Sequence, residues 1–195
     1  MQTCIVVETM DSNYQNDKNE SRRFVTGRWI DKFESTGHGW LMITSGSMYP
    51  LIKSGDLLHV EKTTVSAVYP GDIIAFWKGN RLITHRVILK AGNNRQTYFI
   101  ERADRHPEYS IVNAQSLVGK VKSIKRNERV YHLEKLRWQL FNRGIGATFF
   151  CTYKVRKIIQ KIDFVPKQVK DIIRKILISS RTLREKLLAN FLSRK

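Results

Sequence analysis

The sequence has few cysteines and no pattern typical of a metal site. Cys4 and Cys151 are its two cysteines, and their spacing fits neither a disulfide framework nor a set of metal ligands. So little cysteine is typical of a protein from a reducing compartment. We therefore interpret both residues as buried apolar side chains and expect no metal ion or other cofactor.

The sequence also contains no apolar run typical of an export signal or of a membrane-spanning helix. The apolar run at residues 4–7 is too short for a secretory signal, and Glu8 follows it directly. The strongest later candidate, residues 145–153, is about half as long as the roughly 20 apolar residues that a spanning helix needs. The sequence therefore predicts a cytoplasmic protein without a transmembrane segment.

Positive charge is concentrated in the last two-fifths of the chain, and the net formal charge is +18. Residues 1–119 carry 14 Lys/Arg against 12 Asp/Glu, a net +2, whereas residues 120–195 carry 21 against 5, a net +16. A segment this basic favours anionic partners such as phospholipid headgroups, nucleic acid or an acidic protein.

Residues 40–127 consist of short apolar or alternating runs separated by turn residues, a pattern that predicts strands and hairpins. The predicted strands are Trp40–Ile43, Leu57–Glu61, Asp72–Trp77, Leu82–Leu89, Thr97–Glu101 and Leu117–Ile124. Residues 1–39 predict a polar leader followed by a short helix that ends at Gly37. The side chains expected to face inward from this helix are Phe24, Trp29, Ile30 and Phe33.

Residues 128–195 change to a helical period and predict a basic α-helical extension of a mainly β protein. One predicted apolar face consists of Leu133, Leu136, Leu140 and Phe141, and a longer stripe runs from Val155 to Ile176. Pro166 predicts a break inside that stripe. Two interpretations of residues 154–195 stay open: the stripe packs on the β-domain, or it attaches to an anionic membrane surface. Nucleic acid is a less favoured partner, because few aromatic side chains lie between the charges.

Three short segments carry side chains suited to hydrolytic chemistry. Ser47 lies in Ser45-Gly46-Ser47-Met48-Tyr49-Pro50, a turn that can present an exposed hydroxyl. His85 lies in a predicted strand, and Asp104 follows another one in Glu101-Arg102-Ala103-Asp104. Taken singly, each has a structural explanation: a loop serine, a structural histidine and a surface ion pair.

In combination, and in this order, the segments resemble the type I signal peptidases and the related self-cleaving repressor peptidases. The matching segments are Ser45–Pro50, Gly55-Asp56, Gly71–Phe76, Thr84–Val87, Ala103-Asp104 and Val118–Val121. Endoplasmic-reticulum, archaeal and some Gram-positive signal peptidases have histidine at the base position, whereas leader peptidases and repressors have lysine. The resemblance covers roughly residues 40–124. It implies a signal-peptidase-like β-domain that belongs to the branch with histidine.

The resemblance implies a serine endopeptidase that cleaves peptides or pre-proteins. Ser47 is then the nucleophile, His85 the general base and Asp104 the acid that orients the imidazole. The Ser45 hydroxyl and the Ser47 N–H are the implied oxyanion donors. The chain departs from the family pattern in the acid segment, where Ala103 replaces glycine and Glu108 is one residue early for the second acid.

Two other classes of function remain open. The β-domain could be a degenerate relative that only binds its ligand, although all three candidate catalytic residues are present. A regulator of the self-cleaving repressor type is the other alternative. It needs a DNA-recognition domain ahead of the peptidase, and about 40 partly polar residues leave little room for one.

Overall fold

The computed structural model describes residues 5–7, 29–93, 96–161 and 186, and these form mainly β-structure. Residues 29–36 belong to helix α1, and helix α2 is Leu136–Lys161. The strands are β1 (Ile5–Val7), β2 (His38–Ile43), β3 (Leu57–Glu61), β4 (Ile73–Lys78), β5 (Arg81–Gly92), β6 (Thr97–Arg102), β7 (Tyr109–Asn113), β8 (Leu117–Arg126) and β9 (Arg129–His132).

These strands form a nine-stranded sheet with the order β1-β2-β3-β8-β4-β5-β6-β7, and β9 pairs with β8. The pairing of β1 with β2 is parallel, and the other strand pairs are antiparallel. Hairpins join β4 to β5, β5 to β6 and β6 to β7, so β5 and β6 are each paired with both of their sequence neighbours. The prediction of a mainly β fold with a C-terminal helix is confirmed.

Apolar side chains cover both faces of the central strands, because successive residues of a strand point to opposite faces. Ile73 and Ala75 of β4 belong to the larger core, together with residues from β2, β3 and both helices. Ile74 and Phe76 belong to a smaller core formed with residues of β5, β6 and β7. The two faces of β4 and β5 therefore have different environments.

Helix α1 covers one side of the larger core, as the sequence predicts. Trp29 and Phe33 are each 2% exposed and stack with ring centroids 4.7 Å apart. Gly37 has a φ of 73°, a conformation that suits glycine, and its N–H donates to the Phe33 carbonyl at 2.7 Å. Phe24 and most of the predicted leader lie outside the described residues.

Helix α2 packs through a different face from the one predicted. Trp138, Ile145 and Phe149 are buried, whereas Leu136 and Leu140 are 70% and 60% exposed. The prediction for the two leucines was wrong because both faces of this helix carry apolar residues, so periodicity alone did not identify the packed one.

Two further expectations concern residues on or after α2. Cys151 is exposed on the helix, which corrects its interpretation as a buried side chain. The break predicted at Pro166 and most of the stripe beyond α2 lie outside the described residues, as does Cys4. Within the part of the chain that the structure describes, no helix is long and apolar enough to cross a bilayer.

Candidate active site

Ser47 lies in a tight turn that follows β2. The Tyr49 N–H donates to the Gly46 carbonyl at 3.1 Å, and the Ile52 N–H donates to the Met48 carbonyl at 3.0 Å. Met48 is 2% exposed and anchors the turn in the larger core. The Ser47 hydroxyl is partly buried and lies 3.3 Å from the Ser45 hydroxyl. The turn therefore holds two neighbouring hydroxyls in fixed positions.

His85 lies on β5 and contacts a buried carboxylate from β6. Its Nδ1 is 2.6 Å from Oε2 of Glu101, and the Glu101 side chain is only 2% exposed. Glu101 pairs with Val87, so it lies diagonally across from His85 on the same face of the sheet. Phe76 contacts the imidazole edge-on at a centroid distance of 6.2 Å.

This contact fixes how the imidazole can act. A buried ionised carboxylate is costly unless it accepts hydrogen bonds, so the favoured tautomer has the proton on Nδ1, donated to Glu101. The Nε2 atom is then the proton-accepting atom of the ring. The contact with Glu101 thus leaves Nε2 free of this carboxylate and fixes the tautomer of the ring.

Asp104 does not contact His85, which corrects the expected contact between them. Its two carboxylate oxygens accept hydrogen bonds from Nε and Nη2 of Arg86 at 2.8 and 2.7 Å. Arg86 is fully buried, and its Nη1 also donates to the Gly71 carbonyl and to Oδ1 of Asn142 on α2. Asp104 therefore belongs to a buried ion pair that ties β5 to α2.

A cavity of about 880 Å³ connects the serine turn with the His85–Glu101 pair. Ser45, Ser47, His85 and Glu101 line it, whereas Asp104 is not among its lining residues. Its apolar lining consists of Ile43, Met48, Ile52, Ile83 and Ala103. Glu108 also lines the cavity but is exposed, and Glu101 holds the contact with His85.

Helix α2 supports the chain segment that forms one wall of this cavity. The Tyr109 hydroxyl lies 3.0 Å from the Phe149 carbonyl and 2.6 Å from the Thr152 hydroxyl, both on α2. Nη1 of Arg156 donates to the Pro107 carbonyl at 3.0 Å. The basic extension thus begins with a helix that is part of the same structural unit as the cavity.

The sequence analysis did not identify Glu101, because the acid was chosen from the spacing of the family motif, which points to Asp104. Glu101 and Arg102 immediately precede Ala103-Asp104, and lone carboxylates beside arginines are usually surface ion pairs. The available signal was the alternation of side chains in a hairpin: once β5 and β6 are paired, Glu101 and Asp104 are the carboxylates that can come to face His85. Which one it is depends on the exact register of the pair.

Comparison with known proteins supports the assignment of the fold. The family model described as Peptidase S24-like matches residues 8–122, which is more than half of the 195-residue chain. The matched range contains the serine turn, His85, Glu101 and Asp104. A search of curated proteins found no match. On the basis of the family model, the chain belongs to the Peptidase S24-like family.

Proposed function

We propose that this protein is a serine endopeptidase in which Ser47 is the nucleophile, His85 the general base and Glu101 the residue that orients His85. The observation that carries this proposal is the shared cavity, lined both by the Ser47 hydroxyl and by an imidazole hydrogen-bonded to a buried carboxylate. A serine hydroxyl needs such a base because it is barely nucleophilic near neutral pH.

The proposed reaction follows from these groups. The Ser47 oxygen attacks the carbonyl carbon of the substrate peptide while its proton moves to Nε2 of His85. The Ser45 hydroxyl and the Ser47 N–H stabilise the negative charge on the carbonyl oxygen. The protonated imidazole then gives its proton to the leaving amine, and a water molecule hydrolyses the resulting ester by the reverse sequence.

Within the family, we favour a signal-peptidase-like activity on peptides or pre-proteins. The support is His85 in its Thr84-His85-Arg86-Val87 segment, since the repressor branch has lysine at the base position. A regulator of the self-cleaving repressor type and a catalytically degenerate binding module are the alternatives. Two measurements distinguish these alternatives. A self-cleaving regulator would change the mass of its own chain, whereas a binding module would cleave no peptide.

The decisive experiment compares the purified wild type with Ser47→Ala and His85→Ala on a peptide library read by mass spectrometry. We expect the wild type to cleave a subset of peptides and both variants to lose this activity. Ser47→Ala should keep the wild-type melting temperature, whereas His85→Ala should melt at a lower temperature because it leaves the buried Glu101 carboxylate without this partner. Ser35→Ala, which removes an exposed hydroxyl on α1, is the matched control and should cleave normally. Undiminished cleavage by Ser47→Ala would remove Ser47 from the mechanism.

A second proposal concerns the basic extension, for which attachment to an anionic membrane surface is the favoured role. Helix α2 carries six Lys/Arg and no Asp/Glu. It also leaves four large apolar side chains exposed, which are Leu136, Leu140, Val155 and Ile158. Exposed apolar side chains among basic ones suit a headgroup layer, and each basic residue near such a surface contributes about 1 kcal/mol.

Co-sedimentation with vesicles tests this attachment. We expect binding to anionic but not to neutral vesicles, weaker binding at high salt, and weaker binding of Leu140→Asp and Ile158→Asp. Thr63→Asp places the same charge on a partly buried position outside α2 and serves as the control. A lack of binding to anionic vesicles at low salt would contradict the proposal.

A further inference from the structure

The cavity that contains the proposed catalytic groups is also lined by basic side chains with no role in the mechanism. These are Lys78, Arg81, Arg105 and His106, and all four are exposed. The acidic residues in the lining are Glu101, which is buried against His85, and Glu108. The exposed part of the lining therefore has an excess of positive charge even when His106 is neutral.

Arg105 lies next to the proposed nucleophile. Its backbone N–H donates to the Ser47 carbonyl at 2.9 Å. A Cβ atom added at Gly46 would lie 3.2 Å from Nη1 of Arg105, so the guanidinium lies close to the turn between Ser45 and Ser47. A substrate chain in position for attack by Ser47 would therefore pass within reach of this cation.

Lys78 and Arg81 form a second cationic group at the end of the β4–β5 hairpin. They pair directly across the two strands, and both lie on the sheet face that carries His85. Nζ of Lys78 donates to the Ser110 hydroxyl at 3.1 Å, which holds it against the β7 side of the cavity. Arg81 is four residues from His85 along β5, or roughly 13 Å at about 3.3 Å per residue.

We propose that the cavity selects acidic peptides, with carboxylates at two positions along the bound chain. One lies within about two residues of the scissile bond and pairs with Arg105. The other lies about four residues from that bond and pairs with Arg81 and Lys78, because an extended peptide also advances about 3.3 Å per residue. A guanidinium can bind a carboxylate through two parallel hydrogen bonds, which gives geometric selectivity as well as attraction. The inference rests on the proposed function, since it takes the occupant to be a peptide.

Binding to the Ser47→Ala variant separates recognition from catalysis. Fluorescent peptides of one sequence are compared with Glu at both positions, at one, or at neither, with Gln as the replacement. The peptides are derived from the best cleaved member of the library or, if no peptide is cleaved, from a poly-Ala peptide in which the spacing of the carboxylates is varied. We expect roughly two- to fivefold tighter binding per carboxylate at low salt, and a smaller difference at high salt.

Charge reversal identifies the responsible side chains. Arg81→Glu should abolish the preference for the distant carboxylate, and Arg105→Glu should abolish the preference for the near one. Arg129→Glu makes the same change in net charge at an exposed position that does not line the cavity, and should leave both preferences intact. If all three variants weaken the binding of acidic peptides equally, net charge alone is responsible and the inference is wrong.

Failure of this inference and failure of the proposed function give different results. Cleavage by the wild type without preference for acidic peptides overturns the inference and leaves the catalytic proposal intact. Selective binding of acidic peptides, lost in Arg81→Glu but not in Arg129→Glu, supports the inference even if the wild type cleaves none of them. In that case the catalytic proposal fails and the cavity is a recognition site.

Discussion

Replacing Glu101 by Gln tests the proposed mechanism at the point where the structure departs from the family motif. The substitution keeps the shape of a side chain that is 2% exposed and removes its charge. An amide can donate its own N–H to Nδ1, which stabilises the tautomer that carries a proton on Nε2. His85 could then no longer accept the Ser47 proton without rearranging.

The expected loss can be bounded from the 2.6 Å contact between Nδ1 and Oε2. A hydrogen bond to a charged group contributes about 1.5–3 kcal/mol, which corresponds to roughly 10- to 150-fold in rate at 1.36 kcal/mol per tenfold. Loss of the correct tautomer adds to this, and the equivalent substitution in a Ser-His-Asp triad lowers kcat about 10⁴-fold. We therefore expect Glu101→Gln to lower kcat by about 10² to 10⁴.

Asp104→Asn is the matched comparison, because it removes the neighbouring carboxylate that binds Arg86. Arg86 is fully buried, and breaking a buried ion pair costs about 3–5 kcal/mol of stability. We expect Asp104→Asn to lower the free energy of unfolding in urea by about that amount and to affect kcat less than Glu101→Gln does. A greater loss of kcat in a folded Asp104→Asn protein would refute this reasoning and restore Asp104 as the orienting acid.

Two other predictions concern protonation and packing. Burial lowers the pKa of His59. The unfolded chain therefore binds more protons than the folded one, and the free energy of unfolding should fall as pH drops below about 6.5. The unfolding midpoint of His59→Gln should depend less on pH over this interval than that of the wild type. Arg126→Met should lower the free energy of unfolding by about 3 kcal/mol, because it leaves the buried Asp56 carboxylate without its bidentate partner; equal urea midpoints for variant and wild type would count against this account.

The strands that the sequence predicts correctly are those whose own residues alternate or form a fully apolar run. Leu57–Glu61 is recovered with the observed bounds, and the other five predicted strands differ from the observed ones by up to three residues at either end. The missed strands are β1, β7 and β9, and they are short. Ile111 of β7 is 69% exposed, which removes the expected alternation. These segments become strands by pairing with a neighbour, a tertiary effect that local pattern does not contain.

Prediction from local sequence pattern has the same limit for the single residues of the site. Ser47 and His85 stand out because the turn and the strand that carry them have recognisable local patterns, whereas the residue that contacts His85 depends on the pairing of two strands. Ile100 pairs with Leu89, but Glu101 pairs with Val87, so a β-bulge at Ile88 shifts the register by one residue.

That single extra residue decides which carboxylate faces the imidazole. If the register at Leu89 continued without the bulge, Asp104 would lie directly opposite His85, and Glu101 would point to the other face of the sheet. With the bulge, Glu101 lies on the His85 face, and Arg86 and Asp104 meet on the opposite one. A shift of one residue exchanges the faces of all side chains that follow. The family motif thus places an acid correctly near the end of β6, but its spacing carries no information on the bulge, and only the three-dimensional register assigns the contact to Glu101.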